Sequence, residues 1–188
     1  MLKQRIYIIG GKWRRKKIDL ICNKKLRPTK NYIREKLFNW LFPFIDNSLC
    51  LDCFAGSGSL GLEALSRNAS NVIFLEKNIE ISKKLRKNLK NFNTIDYSLI
   101  NTNAIYWLIK SKKVFNIVFI DPPFNSDLIM KVIILLEKYN HLYDKSMIYI
   151  ETKFNKKIKY IPSNWELYRK GISGKVAFYL YKRNTIIY

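Results

Sequence analysis

The chain has little of what builds a disulfide framework or a zinc site: three cysteines and one histidine, His141, in 188 residues. So few of either, without paired zinc-ligand spacing, argue against a disulfide framework or a classical zinc site. Cys50 and Cys53 form a C-x-x-C, but inside a run that reads as a strand, where residues three apart face opposite sides. They are expected to be small core residues without a redox role, and no metal site is expected. No apolar run is long enough to span a bilayer. Ile6-Tyr7-Ile8-Ile9 is too short for a signal-peptide core and lacks a small-residue cleavage site. The expected setting is the cytoplasm, away from membranes, and the expected state is a monomer. Negative charge is also scarce. Asp and Glu number 14 against 35 Lys and Arg, a formal net charge of +21.

That excess points to a polyanionic partner, nucleic acid in the simplest case. The competing explanation is compositional. Lys, Asn and Ile are plentiful throughout, and an AT-rich coding bias raises lysine without any selection for binding. Clustering favours binding. Up to Lys30, the cations Lys3, Arg5, Lys12, Arg14, Arg15, Lys16, Lys17, Lys24, Lys25, Arg27 and Lys30 face a single acid, Asp19. The rest is ordinary: 48% apolar and 26% charged residues, enough for one domain with a sizeable core. Residues 1–45 read as a basic extension and 46–188 as the main sheet.

In the extension, Arg5 to Ile9 and Lys17 to Ile21 alternate and can pair as a hairpin around Gly10-Gly11. Arg27-Pro28-Thr29 signals a helix start with Thr29 as N-cap, and Ile33, Leu37, Trp40 and Leu41 recur at helical spacing. From Leu49 onward, strands and helices alternate. Strands are expected at Leu49 to Cys53, Asn71 to Glu76, Ser98 to Asn101, Val114 to Asp121 and Ser146 to Glu151. Helices are expected at Leu60 to Arg67, Ile79 to Asn91, Ala104 to Lys110 and Leu128 to Tyr139. Trp165 to Arg169 and Lys175 to Tyr181 read as a closing hairpin. The order implies an α/β fold: a doubly wound, mostly parallel sheet with an antiparallel C-terminal strand and a small basic hairpin and helix at the start.

Two runs carry chemistry. Leu51-Asp52-Cys53-Phe54-Ala55-Gly56-Ser57-Gly58 is a buried strand ending in a glycine loop that opens a helix. Gly56 and Gly58 let the backbone turn tightly and approach a ligand, although a glycine loop alone also serves as a plain turn. Glu76 ends the next strand, where an acid can accept from both hydroxyls of a ribose; a simple helix-capping role is the alternative. Phe119-Ile120-Asp121-Pro122-Pro123-Phe124 is a second buried strand, ending in an acid, two prolines and a ring. The prolines stiffen the loop, so the Asp121 carboxylate and the Pro122 carbonyl can be aimed at an amine while Phe124 stacks on a base. The bland reading is a stiff loop with a buried ring.

The glycine run, Glu76 and Asp121-Pro122-Pro123-Phe124, in this order, resemble the class I, Rossmann-like S-adenosylmethionine-dependent methyltransferases that modify planar amino nitrogens. More narrowly, four stretches resemble the RsmD family of bacterial methyltransferases acting on guanine N2 of small-subunit ribosomal RNA. They are Arg5-Ile6 with Ile8-Ile9-Gly10-Gly11 and Trp13-Arg14; Arg27-Pro28-Thr29 with Arg34-Glu35 and Phe38-Asn39-Trp40-Leu41; Leu51 through Arg67; and Phe119 through Phe124. The resemblance implies S-adenosylmethionine held by Asp52, Phe54, Ala55, Gly56, Ser57, Gly58, Glu76, Asn103 and Ala104. It implies catalysis by Asp121, Pro122 and Phe124. Together with the charge, it makes Arg5, Trp13, Arg14, Arg15, Lys16, Lys17, Arg27, Thr29, Lys30 and Arg34 candidates for contact with ribosomal RNA or a small-subunit particle. Three positions depart from the family pattern: Asn103 stands where an acid is usual, and Arg15 and Asn68 stand where glycines are usual. The alternatives are an adenine-N6 methyltransferase acting on DNA or RNA, and a non-catalytic nucleic-acid binder with the same fold.

Overall fold

The computed structural model describes residues 5–20, 31–123 and 126–185. Seven strands form one sheet: β3 (Leu49–Asp52), β4 (Asn71–Glu76), β5 (Tyr97–Asn101), β6 (Phe115–Ile120), β7 (Leu142–Lys153), β8 (Trp165–Ser173) and β9 (Val176–Arg183). Their order is β5-β4-β3-β6-β7-β9-β8. Neighbours from β5 to β7 are parallel, and β9 runs antiparallel to both β7 and β8. The chain works outward from β3 to β5, then returns to lay β6 on the other side of β3. Strand order therefore reverses between β3 and β6, where such sheets open a crevice beyond their carboxyl ends.

The parallel strands are nearly continuous apolar runs because both faces of the sheet are covered. One face packs with α1 (Asn31–Trp40), α3 (Ser59–Ser66) and α4 (Ile79–Asn91) through Leu37, Leu62, Leu85 and Phe119. The other packs with α5 (Ala104–Lys110) and α6 (Ser126–Lys138) through Leu108, Val118, Val132 and Ile150. Cys50 joins the first cluster and Cys53 the second, as strand alternation requires. Both thiols are buried, and desolvation pushes Cys50 up to about 12. A short α2 (Phe42–Ile45), with Pro43 in its first turn, was not apparent from periodicity.

The amino-terminal hairpin forms as expected. β1 (Arg5–Tyr7) pairs antiparallel with β2 (Lys17–Asp19), and a 3-10 turn at Gly11–Trp13 closes the connection. Its Ile8, Trp13 and Ile18 enter the same core as the sheet. The hairpin covers the side of α3 turned away from the sheet, so every residue of α3 is buried. The expected N-cap Thr29 lies outside the described residues. β7 is longer than expected because a bulge between Phe115 and Ile117 lets Leu142 pair ahead of the regular register. Among the described residues no helix is long and apolar enough to cross a membrane.

Candidate active site and basic surface

β3 delivers the glycine loop to the carboxyl edge of the sheet. Gly56 and Gly58 have φ of +51° and +79°, the left-handed region that glycine enters at least cost. At Gly58, the residue before α3, a Cβ would lie 2.4 Å from the Leu85 side chain. The loop is tied down by Ala55 N–H donating to the Leu75 carbonyl at 2.9 Å and Gly58 N–H to the Ala55 carbonyl at 2.7 Å. Phe54, Gly56 and Ser57 are half-buried, whereas Ala55 is buried among the apolar residues. Asp52 braces the loop from beneath. Its carboxylate is 2% exposed and accepts from Gly61 N–H at 3.3 Å. Burial raises its pKa to about 7, against hydrogen bonds from Gly61 and Phe54 and with a smaller push from the charge of Glu76. Asp52 thus shapes the cradle from within.

Glu76 stands at the end of β4, half-buried, and one of its oxygens accepts from Gly56 N–H at 3.0 Å. The other accepts from Asn78 N–H at 2.7 Å. The ribose and capping readings are compatible: the acid fixes the glycine loop and keeps further lone pairs toward solvent. Asn103 caps α5, its side-chain oxygen accepting from Ile105 N–H at 2.8 Å. Ala104 is 4% exposed and packs inward.

β6 lies directly beside β3, with Asp52 opposite Phe119 and Cys53 N–H donating to the Phe119 carbonyl at 3.1 Å. Asp121 therefore emerges at the same edge as the glycine loop. Asp121 is half-buried and Pro122 buried. Phe124 lies outside the described residues. Tyr149, buried on β7 opposite Phe119, donates its hydroxyl to Glu151 at 2.8 Å. Burial, then the charges of Glu151 and Asp121, raise the Tyr149 pKa. Asp121 thus has a second carboxylate, Glu151, as a near neighbour that the sequence reading did not single out.

The basic residues do not converge on that edge. Trp13 N–H donates to Ser66 Oγ at 2.9 Å, and Ser66 Oγ donates to the Gly10 carbonyl at 2.6 Å. Ser66 ends α3, so the hairpin turn sits about 12 Å, one helix length, from the glycine loop. Arg14, Arg15, Lys16 and Lys17 are exposed there, and Arg5 is exposed at the open end of the hairpin, paired with Asp19 at 3.1 Å. Arg27 and Lys30 lie outside the described residues.

Two expected nucleic-acid contacts are corrected. Trp13 is 8% exposed, its ring centroid 4.9 Å from that of Phe92, so it anchors the hairpin. Arg34 is fully buried. It donates to the Tyr7 carbonyl at 2.8 Å and Asn31 Oδ1 at 2.7 Å, and faces Glu63 at 3.7 Å. Desolvation lowers its pKa, and the charge of Glu63 partly opposes that. The sequence held the signal: Arg34 falls on the helical stripe of Leu37, Phe38 and Leu41. Glu63, which the sequence reading missed, is the hub. It accepts from Ile9 N–H at 2.9 Å, Gly10 N–H at 2.8 Å and Arg67 Nε at 3.0 Å.

The family model described as conserved hypothetical protein 95 matches residues 6–182. Ribosomal RNA small subunit methyltransferase D of Escherichia coli K12 is 44% identical over 180 residues, 96% of this chain and 91% of that protein. The protein of the same name from Buchnera aphidicola of Acyrthosiphon pisum is 45% identical over 182 residues, covering 96% and 95%. The chain belongs to the RsmD family. The solved structure of a putative methyltransferase from Escherichia coli superposes on this RsmD-family chain with a TM-score of 0.90 at 42% identity, covering 97% of this chain and 99% of that one. A putative methylase from Haemophilus influenzae gives 0.84 at 37%, covering 97% and 100%.

The structure gives a physical account of two departures from the RsmD pattern. Arg15 and Asn68, where the resemblance leads one to expect glycine, have φ of +67° and +68°. At both positions the backbone holds the left-handed conformation that glycine enters at least cost. Asn tolerates that region better than Arg does.

Proposed function

We propose that this chain transfers the methyl group of S-adenosylmethionine to the exocyclic N2 amine of a guanine in small-subunit ribosomal RNA, acting as a monomer in the cytoplasm. The observation that carries this reading is a juxtaposition. The glycine loop, braced by Glu76 of β4, and the Asp121-Pro122-Pro123 turn leave adjacent strands, β3 and β6, on either side of the point where strand order reverses. The names carried by relatives 44% and 45% identical supply the substrate class.

The residues suit the cofactor. Left-handed glycines form a cradle, and the Glu76 carboxylate lies within hydrogen-bond distance of the Gly56 N–H in it. Phe54, Gly56, Ser57 and Glu76 would hold the adenosine and its tail. Asp52 and Ala55 hold the loop itself, and Asn103 and Ala104 would border the adenine. When bound, S-adenosylmethionine supplies an electrophilic methyl on a sulfonium. The chain's own task is to present a poor nucleophile, since the guanine amine delocalises its lone pair into the ring. Hydrogen bonds from that amine to the Asp121 carboxylate and the Pro122 carbonyl favour its pyramidal, developing cationic form. Asp121 then accepts the surplus proton. Fixing the base beside the methyl donor supplies much of the remaining acceleration, and Phe124 stacks on the base, which must be unpaired to enter.

The test is transfer of labelled methyl onto small-subunit ribosomal particles, with mapping of the modified nucleotide and DNA as the control. N2-methylguanine at one position of the RNA is expected. Label on DNA, on adenine, or on nothing overturns the reading.

A further inference from the structure

The proposed catalytic edge and the Arg14–Lys16 cluster lie at opposite ends of the molecule's flank, and α4 joins them. Its amino terminus follows Glu76 through the Asn78 cap, which accepts from Glu80 N–H at 3.0 Å and Ile81 N–H at 3.1 Å. Its C-cap, Phe92, packs on Trp13 and has the Lys16 ammonium 5.5 Å above its ring. Between these ends run 13 residues, about 20 Å of helix. Lys83, Arg86, Lys87 and Lys90 are exposed, while the inward side carries Leu85 and Leu89. The only acid on the helix is Glu80, paired with Lys83 at 2.9 Å. Lys84 is held to Asp19 at 3.1 Å, and Asn88 donates to the Asp19 carbonyl at 2.9 Å, so hairpin and helix are fixed against each other.

Cations three and four apart on one helix repel and destabilise it. On α4 that repulsion is arranged in a line, at Lys83, Lys87 and Lys90, running from the catalytic edge to the hairpin turn. The helix has no aromatic residue with which to stack on a base. It is equipped for phosphates, which fix position and register without reading sequence. We propose that the exposed face of α4 carries the phosphate backbone of the RNA substrate, joining the catalytic edge to Arg14, Arg15 and Lys16 in one continuous track. A track of that length runs along several successive phosphates of one strand of a helical arm beside the target. The proposal rests on the ribosomal RNA reading above.

The test compares two double variants with the same change in net charge. Lys87→Glu with Lys90→Glu alters the track and leaves Lys84, which holds the hairpin, intact. Lys112→Glu with Lys131→Glu lies on the α5 and α6 side of the sheet. Affinity for a small-subunit ribosomal RNA transcript is measured across a salt series, alongside methyl transfer to small-subunit particles and S-adenosylmethionine affinity. The track variant should lower the slope of log affinity against log salt by about 1.4 to 1.8, the loss of two phosphate contacts. It should raise KM for the particle, and leave kcat and cofactor affinity at parental values. The control variant should keep the parental slope. Equal slopes for parent and track variant, or equal losses in both variants, overturn the track. A parent protein that methylates no ribosomal particle overturns the functional reading instead.

Discussion

Asp52 makes the stability of this protein depend on pH in a direction opposite to most carboxylates. Its side chain is 2% exposed beneath the glycine loop, and its pKa rises from 3.8 to about 7, chiefly by desolvation. The folded state therefore holds this proton to higher pH than the unfolded chain does. The stabilisation is complete below the unfolded value of 3.8 and is lost as pH climbs through about 7. At about 1.4 kcal/mol per pKa unit, the whole span is on the order of 4 kcal/mol, of which roughly 2–3 kcal/mol falls between about pH 5 and pH 8. Asp52→Asn keeps an acceptor for the Gly61 N–H and cannot ionise. Any constant offset introduced by the amide cancels in a slope. Urea unfolding of parent and variant, without cofactor, across that range should show the variant gaining roughly 2–3 kcal/mol on the parent as pH rises. Parallel stability curves would mean that Asp52 ionises freely in the folded state and that the loop is more hydrated than its burial indicates.

Asp121→Ala should leave S-adenosylmethionine affinity nearly unchanged and slow single-turnover methyl transfer by about two orders of magnitude or more, the scale of losing one preorganised electrostatic partner; a parental rate would end the amino-methyltransferase mechanism. Glu76→Ala should weaken cofactor binding by on the order of 1.5–3 kcal/mol, measured by calorimetry, because two charge-assisted ribose bonds disappear. It should also make the glycine loop more protease-sensitive, since the Gly56 anchor is lost. Arg15→Gly should raise unfolding stability by about 1 kcal/mol by relieving a left-handed arginine, and should weaken RNA binding at the same time. A loss of stability would show that the Arg15 side chain makes a contact worth more than its strain.

The sheet was legible because its inner strands are unbroken apolar runs bounded by turn chemistry. Ile79–Asn91 was read to the residue, since Asn78 is a strong cap and the stripe of Leu85 and Leu89 has a clear period. The start of β7 was not legible. Tyr143, Asp144 and Lys145 read as loop, and only the extra residues that β7 accommodates opposite Phe115 to Ile117 bring Leu142 into pairing. At the site, the loop and the two acids were visible at strand ends; what was not visible was the bond by which Glu76 fixes the loop through the Gly56 N–H. Asp52, which the resemblance assigns to the cofactor, is buried beneath the loop and accepts from the Gly61 N–H. Arg34 looked like a surface cation because its charge outweighed its helical phase. Glu63 was invisible in principle: nothing in Ser59–Ser66 says that a hairpin more than forty residues upstream covers its outer face.

That cover changes what the basic extension is. Free arms that grip nucleic acid order on binding and lose entropy there. This hairpin is already ordered by Glu63, whose two oxygens take the Ile9 and Gly10 N–H groups while Arg34 and Arg67 balance its charge. A buried ion pair adds little net stability, because desolvation offsets the attraction, but removing one partner leaves a costly uncompensated charge. Its effect is geometric. Gly11, at φ +75°, lies so close to α3 that a Cβ would fall 1.8 Å from the Ser66 carbonyl oxygen. The same helix begins at the glycine loop and ends at the hairpin turn, so the spacing between cofactor cradle and cationic turn is set by eight residues of α-helix. A rigid spacing of that kind suits a substrate with a rigid shape of its own. On the function proposed above, it would set the interval between the target base and the phosphates of a neighbouring helical arm, which is recognition of RNA by shape more than by sequence.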